Sequence, residues 1–98
     1  MAFNLEVSDE ADDDTLNAVG YYFDIREQLA NRFLNKLHNI YTQIAENPQY
    51  YKYLPKTDHE NYRYTKLKSF PFVVVFRVEG ESVVVYRVFN TYRKPWYE

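Results

Sequence analysis

The 98-residue chain has no cysteine, only two glycines and two histidines, and no long apolar run. Each absence removes a class of protein. Without Cys there is no disulfide framework and no thiolate to act as nucleophile or metal ligand. Gly20 and Gly80 alone cannot build a Gly-rich phosphate loop. His38 and His59 lie far apart with no H-E-x-x-H spacing, so no zinc site is expected. No nucleophile elbow surrounds any serine. No stretch nears the roughly 20 apolar residues of a membrane-spanning helix. Met1-Ala-Phe-Asn-Leu-Glu6 lacks the basic-then-apolar plan of a secretory signal. These features lead us to expect one cytoplasmic domain spanning residues 1–98, with no metal, no cofactor and no membrane association.

What is present is aromatic and unevenly charged. Aromatic residues make up 19% of the chain, and 11 of them are Tyr. The net charge of −2 conceals a division. Residues 1–51 carry three Lys/Arg against nine acids, net −6, and residues 52–98 carry nine against five, net +4. The second half has the sign to meet a polyanion or an acidic partner, and the first half would repel one. The bland alternative is two ordinary solvated faces.

The clearest local signal is Phe70 to Asn90. Two runs of Val, Phe and Tyr flank Glu79-Gly-Glu-Ser82, which reads as a β-hairpin with Gly80 supplying the positive φ of its turn. Residues 72–76 are all apolar, the pattern of a strand covered on both faces. Phe3, Leu5 and Val7 alternate with polar residues as a short strand. Ser8 is placed to cap a helix, and Asp9, Glu10, Asp12, Asp13 and Asp14 follow where carboxylates complement the macrodipole. This acidic run lacks the Gly and distal Glu of a calcium loop. Leu16, Val19, Tyr22 and Phe23 give one helical stripe, with Gly20 marking close packing against a second helix. After a phase shift near Asp24–Gln28, a second stripe runs through Leu29, Phe33, Leu37, Ile40 and Ile44 and ends at Asn47-Pro48. Residues 49–61 read as a loop, residues 62–68 as a strand, and residues 91–98 as an extended basic and aromatic tail. The order predicts an α+β domain, β-α-α-β-β-β, with a helix hairpin on one face of a small antiparallel sheet. The opposite face is left for a partner.

Two chemistries suit the C-terminal half. Tyr50, Tyr51, Tyr53, Tyr62 and Tyr64, set among Lys52, Lys56 and Arg63, either stack on bases or close over the end of a small core. Arg63, Lys66, Lys68, Arg77, Arg87, Tyr92 and Arg93 are the residue types that would stabilise a phosphorane-like charge during RNA cleavage through the 2′-OH. Alternatively, they are solvated heads whose stems cover apolar surface.

Tyr21-Tyr22, Leu29-Ala-Asn-Arg-Phe-Leu34, Ile44-Ala-Glu-Asn-Pro48, Lys68-Ser-Phe-Pro-Phe72, Phe76-Arg-Val-Glu-Gly80, Val83-Val-Val85 and Val88-Phe-Asn-Thr-Tyr-Arg-Lys-Pro95 fall in an order and spacing that resembles the RelE/ParE superfamily. These are the toxins of bacterial type II toxin–antitoxin, or plasmid-stabilisation, modules. The resemblance spans about residues 3 to 96 and implies the same β-α-α-β-β-β fold. It also implies a partner antitoxin whose C-terminal segment lies over the sheet and helix hairpin, with DNA contacted only through that antitoxin. RelE-like relatives cut mRNA on the ribosome. ParE-like relatives inhibit DNA gyrase by binding. The paired helices and the Phe70-Pro-Phe72 and Glu79-Gly80 motifs look closer to ParE-like members. Asn90 stands where many relatives have His, which removes the imidazole that could move a proton there, and an acidic chain is poorly suited to rRNA. The resemblance therefore implies a gyrase-binding toxin using Arg87, Asn90, Tyr92, Arg93, Lys94 and Trp96. The alternatives are an endoribonuclease built on Arg63, Lys66, Arg77, Arg87, Tyr92 and Arg93, and a family member without toxicity.

Overall fold

The computed structural model describes residues 2–54 and 61–92. The chain opens with strand β1 (Asn4–Val7), followed by helices α1 (Asp9–Ile25) and α2 (Glu27–Glu46). A short 3₁₀ turn at Pro48–Tyr50 leads to strands β2 (Lys52–Tyr53), β3 (Tyr62–Lys66), β4 (Phe72–Glu79) and β5 (Ser82–Asn90). The sheet order is β1-β5-β4-β3-β2.

Local chemistry explains the boundaries. The Ser8 side chain accepts from the Ala11 amide at 3.1 Å and donates to the Tyr86 carbonyl at 2.7 Å, so it starts α1 and also fixes it to β5. Asp9, Glu10 and Asp12 occupy the first turn. Arg26 is fully extended (φ −170°), which separates the helices where the apolar phase breaks. At the other end Asn47 closes α2 and Pro48 begins the 3₁₀ turn. Gly80 adopts φ +62° in the two-residue hairpin turn, as expected of it.

The helices pack on the sheet through an aromatic cluster. Tyr22 and Phe33 have ring centroids 5.4 Å apart, and both meet Phe70 and Phe72 at 5.1 to 6.3 Å. Val74, Phe76, Val83, Val85 and Val88 complete the core. The step from Val85 to Val88 breaks strict alternation, and a bulge accommodates it. Val75 pairs with Arg87 but Phe76 pairs with Val85, which leaves Tyr86 as the extra residue. The bulge turns both Val85 and Val88 into the core.

Four features differ from the sequence reading. β2–β5 are mutually antiparallel, but β1 joins β5 in parallel, so the sheet is mixed. The segment read as a loop contains β2, which pairs with β3 through Lys52–Tyr64 and Tyr53–Arg63. A strand of two residues is too short to show any periodicity. Helix α1 is rotated from the expected face. It buries Ala11, Ala18 and Tyr22, while Leu16 and Phe23 are exposed. Small residues let α1 lie close against β5, and the larger apolar residues are displaced outward. Gly20, expected at a helix–helix contact, has no group from another element of the described residues within 4 Å of where a Cβ would be.

Tyr41 is the buried polar exception. No group among the described residues hydrogen-bonds its hydroxyl. Burial pushes the phenol up to about 12, with the nearby Thr15 hydroxyl opposing the rise and Asp12 and Asp14 adding to it. The folded state therefore holds this proton more tightly than the unfolded chain. The associated stability is complete below pH 10 and is lost as pH climbs toward 12. In Tyr41→Phe, denaturant titrations should show a shallower alkaline loss of stability, and at pH 7 a stability unchanged or raised by up to about 1 kcal/mol. Gly80→Ala should cost about 1 kcal/mol in the same titrations, because a Cβ is strained at positive φ.

Candidate functional site

β1 covers the outer edge of β5 only from Ser82 to Val85. Beyond that point the edge would expose unpaired backbone groups, and α1 takes over as their partner. The Ser8 hydroxyl bonds the Tyr86 carbonyl, and the Val88 amide donates to Asp14 Oδ2 at 3.0 Å. The same carboxylate receives Arg87 Nε at 2.7 Å and Arg87 Nη2 at 2.9 Å. Asp14 thus accepts three hydrogen bonds, and a bidentate guanidinium–carboxylate pair fixes both partners in one geometry. The hydrogen bonds to Asp14 hold the Arg87 charge above its usual pKa range, against the opposing effect of burial.

This attachment leaves a cleft of about 420 Å³ between the middle of α1 and the end of β5. Tyr22, Phe72 and Phe89 give it aromatic walls. Asn17 and Asn90 supply amides, and Tyr21 and Arg87 stand at the rim. The Arg87 guanidinium also lies 4.4 Å from the Phe89 ring centroid. Burial raises the Tyr22 phenol, with the neighbouring phenols of Tyr21 and Tyr92 adding to the rise. Tyr92, two residues after Asn90, is 87% exposed. The Asn90 side-chain oxygen accepts from the Tyr92 amide at 2.9 Å and so shapes the chain as it leaves the sheet. Aromatic walls with two amides can hold an apolar or aromatic group and read its hydrogen-bonding edge. Among the described residues the cleft has no His, and its arginine is paired with Asp14.

The candidate residues are divided. Arg87 and Asn90 line the cleft and Tyr92 stands near it. Arg63 lies elsewhere, on the helix-facing side of β3. Its Nη1 donates to the Tyr51 carbonyl at 2.6 Å and to the Gln49 carbonyl at 3.4 Å, and its Nη2 reaches the Tyr53 hydroxyl at 2.6 Å. The guanidinium lies over the Tyr53 ring at 4.0 Å. It acts as a clamp on the 3₁₀ turn and β2. Lys66 and Arg77 are on the opposite face, since Tyr62, Tyr64 and Lys66 pair with Arg77, Val75 and Val73. Arg77 meets Glu79 at 3.2 Å. Lys68 is exposed in the β3–β4 turn. Arg93, Lys94 and Trp96 lie outside the described residues. The expected open sheet face is paved by half-buried rings, with Tyr62 and Tyr86 at 5.2 Å and Val75 fully buried beneath. Among the described residues, no three His, Asp or Glu side chains gather where they could hold a metal ion, and no helix is long and apolar enough to cross a membrane.

Asp14, Asn17, Tyr21 and Tyr22 were not singled out as site residues from the sequence. A signal was present, since Asp14, Asn17 and Tyr21 follow the i, i+3, i+7 spacing of one helical stripe. Replacing Asp14 with Ala should destabilise the fold by about 2–3 kcal/mol, because it strands a guanidinium and an edge amide. Asp13→Ala, one residue away and exposed, should stay within about 0.5 kcal/mol of the parent chain in the same denaturant titrations.

Comparison with known proteins agrees with this architecture. A solved chain described as "Chromosomal ParDE TA system from P. aeruginosa" superposes with a TM-score of 0.78 at 17% identity, covering 91% of this chain and 96% of that one. At that identity the likeness concerns the fold. No curated protein matches the chain. The family model described as ParE toxin of the type II toxin–antitoxin system, parDE, matches residues 5–95. The chain belongs to the ParE toxin family of type II toxin–antitoxin systems.

Proposed function

We propose that this chain is a cytoplasmic toxin that acts by binding rather than by catalysis, that its target is DNA gyrase, and that a cognate antitoxin neutralises it. The observation that carries this reading is the separation of the basic side chains. An RNA-cleaving centre needs several cations around one phosphate. Here Arg63 clamps the helix side of the sheet, Arg77 lies on the opposite face beside Glu79, and Arg87 is paired with Asp14. Arg87 and Asn90 instead lie near the end of β5 and line an aromatic cleft, and exposed Tyr92 follows two residues after the strand. That arrangement suits docking on a protein surface, where an exposed Tyr beside fixed polar groups is a typical anchor. The family membership supports a toxin–antitoxin setting.

The test is induction of the chain in bacteria lacking an antitoxin, with pulse-labelling of DNA and protein synthesis. DNA synthesis should stop first while translation continues. Tyr92→Ala and Asn90→Ala should reduce toxicity at least tenfold in plating efficiency, with the folded signal in circular dichroism unchanged. An early stop in translation with mapped mRNA cuts would replace this reading with the endoribonuclease one, centred on Lys66 and Arg77.

A further inference from the structure

The backbone leaves the sheet through a built exit. Thr91 donates twice to one acceptor: its amide meets the Pro71 carbonyl at 2.7 Å, and its hydroxyl meets the same oxygen at 3.1 Å. One residue earlier, the Asn90 side-chain oxygen accepts from the Tyr92 amide at 2.9 Å, closing an Asx-type turn. The shared acceptor is tied to the core. Pro71 has the restricted φ of its ring and lies between Phe70 and Phe72, both buried. Those two rings belong to the cluster with Tyr22 and Phe33. The Phe72 amide closes on the Phe70 carbonyl at 2.8 Å, and the Phe72 carbonyl accepts from the Leu67 amide at 2.9 Å. The core therefore fixes the Pro71 carbonyl, and that carbonyl fixes Thr91.

These bonds do little for the fold. Thr91 and Tyr92 are exposed, and water competes for hydrogen bonds at such positions. What the bonds hold is Tyr92. So little of this residue is buried that packing contributes little to its placement. Its direction comes from the backbone, which Thr91 fixes just before it and the Asn90 oxygen fixes at its own amide. A residue ordered in advance gives up less freedom when a partner binds.

We propose that Thr91 and Asn90 are positioning residues, with the Pro71 carbonyl as their base, and that they act on the target through Tyr92. They present its ring as a preordered anchor. This inference rests on the reading of Tyr92 as a target contact. Leaving one residue's backbone to be ordered during binding should weaken binding by about tenfold.

The test is a double-mutant cycle on the full chain, read as the concentration that half-inhibits gyrase supercoiling and as plating efficiency on induction. Thr91→Gly removes the hydroxyl and loosens the backbone, and should raise the half-inhibitory concentration about tenfold. Thr91→Ser, which keeps the hydroxyl, should recover most of that loss. In a Tyr92→Ala chain, Thr91→Gly or Asn90→Ala should add no more than about twofold. The Tm of each variant should stay within about 4 °C of the parent. The ¹⁵N order parameter of the Tyr92 amide should be about 0.85 in the parent and below about 0.6 in Thr91→Gly. Where Tyr92→Ala leaves no inhibition to measure, the Thr91→Ser rescue and the order parameter decide. The proposal is overturned by a Thr91→Gly chain that keeps its potency, that loses as much again with Ala at position 92, or that keeps a rigid Tyr92 amide. A loss that simply follows a lower Tm would also overturn it. A parent that is toxic without inhibiting gyrase would remove the gyrase reading alone, and the same cycle in plating efficiency would then decide this one. A parent without toxicity would overturn both.

Discussion

The carboxylate of Asp14 joins the two halves of this molecule. One side chain on α1 receives the Val88 amide and both arms of Arg87 that face it. The need arises from topology. β1 is four residues long and leaves the outer edge of the last part of β5 without a strand partner among the described residues. An edge left that way would carry unpaired backbone groups and invite foreign strands. Ser8 and Asp14 act as substitute partners, and the sheet therefore ends against a helix. The acidic character of α1 is thus partly structural, and the only large basic group on that stretch of β5 is neutralised by it.

The cleft follows from this attachment. Because α1 is pinned through Asp14, the next turns of the helix stand beside Phe89 and Asn90, and the space between is lined by Tyr21, Tyr22 and Asn17. The bulge at Tyr86 matters equally. It sends Val85 and Val88 to the core on either side of the irregularity, and Arg87, next along the strand, reaches Asp14 on the helix. Fold and candidate site therefore share residues, and the same ion pair that stabilises the sheet edge withdraws an arginine from chemistry.

How much of this was legible follows from what sequence patterns encode. The hairpin of β4 and β5 was plain because β-branched runs flank a glycine turn. The face of α2 was plain because Phe33, Leu37 and Ile44 keep one helical phase. The face of α1 was misread because hydrophobicity favours Leu16 and Phe23, whereas close packing on the sheet favours Ala11 and Ala18. Alternation in β1 shows which side chains are buried, but not that its neighbour is β5 or that it runs parallel. Arg87 and Asn90 were legible as candidates from the family pattern. Asp14 was not, because its partner lies 73 positions away and it stands in a run of similar carboxylates.

A double-mutant cycle on Asp14 and Arg87 tests the central claim most directly. Stabilities of the parent, Asp14→Ala, Arg87→Ala and the double variant give the coupling between the two side chains. A coupling of at least about 1.5 kcal/mol is expected for a half-buried, bidentate pair. A coupling below about 0.5 kcal/mol, the level of an ordinary surface pair, would contradict the account. It would leave Arg87 free to serve chemistry and would reopen the nuclease reading.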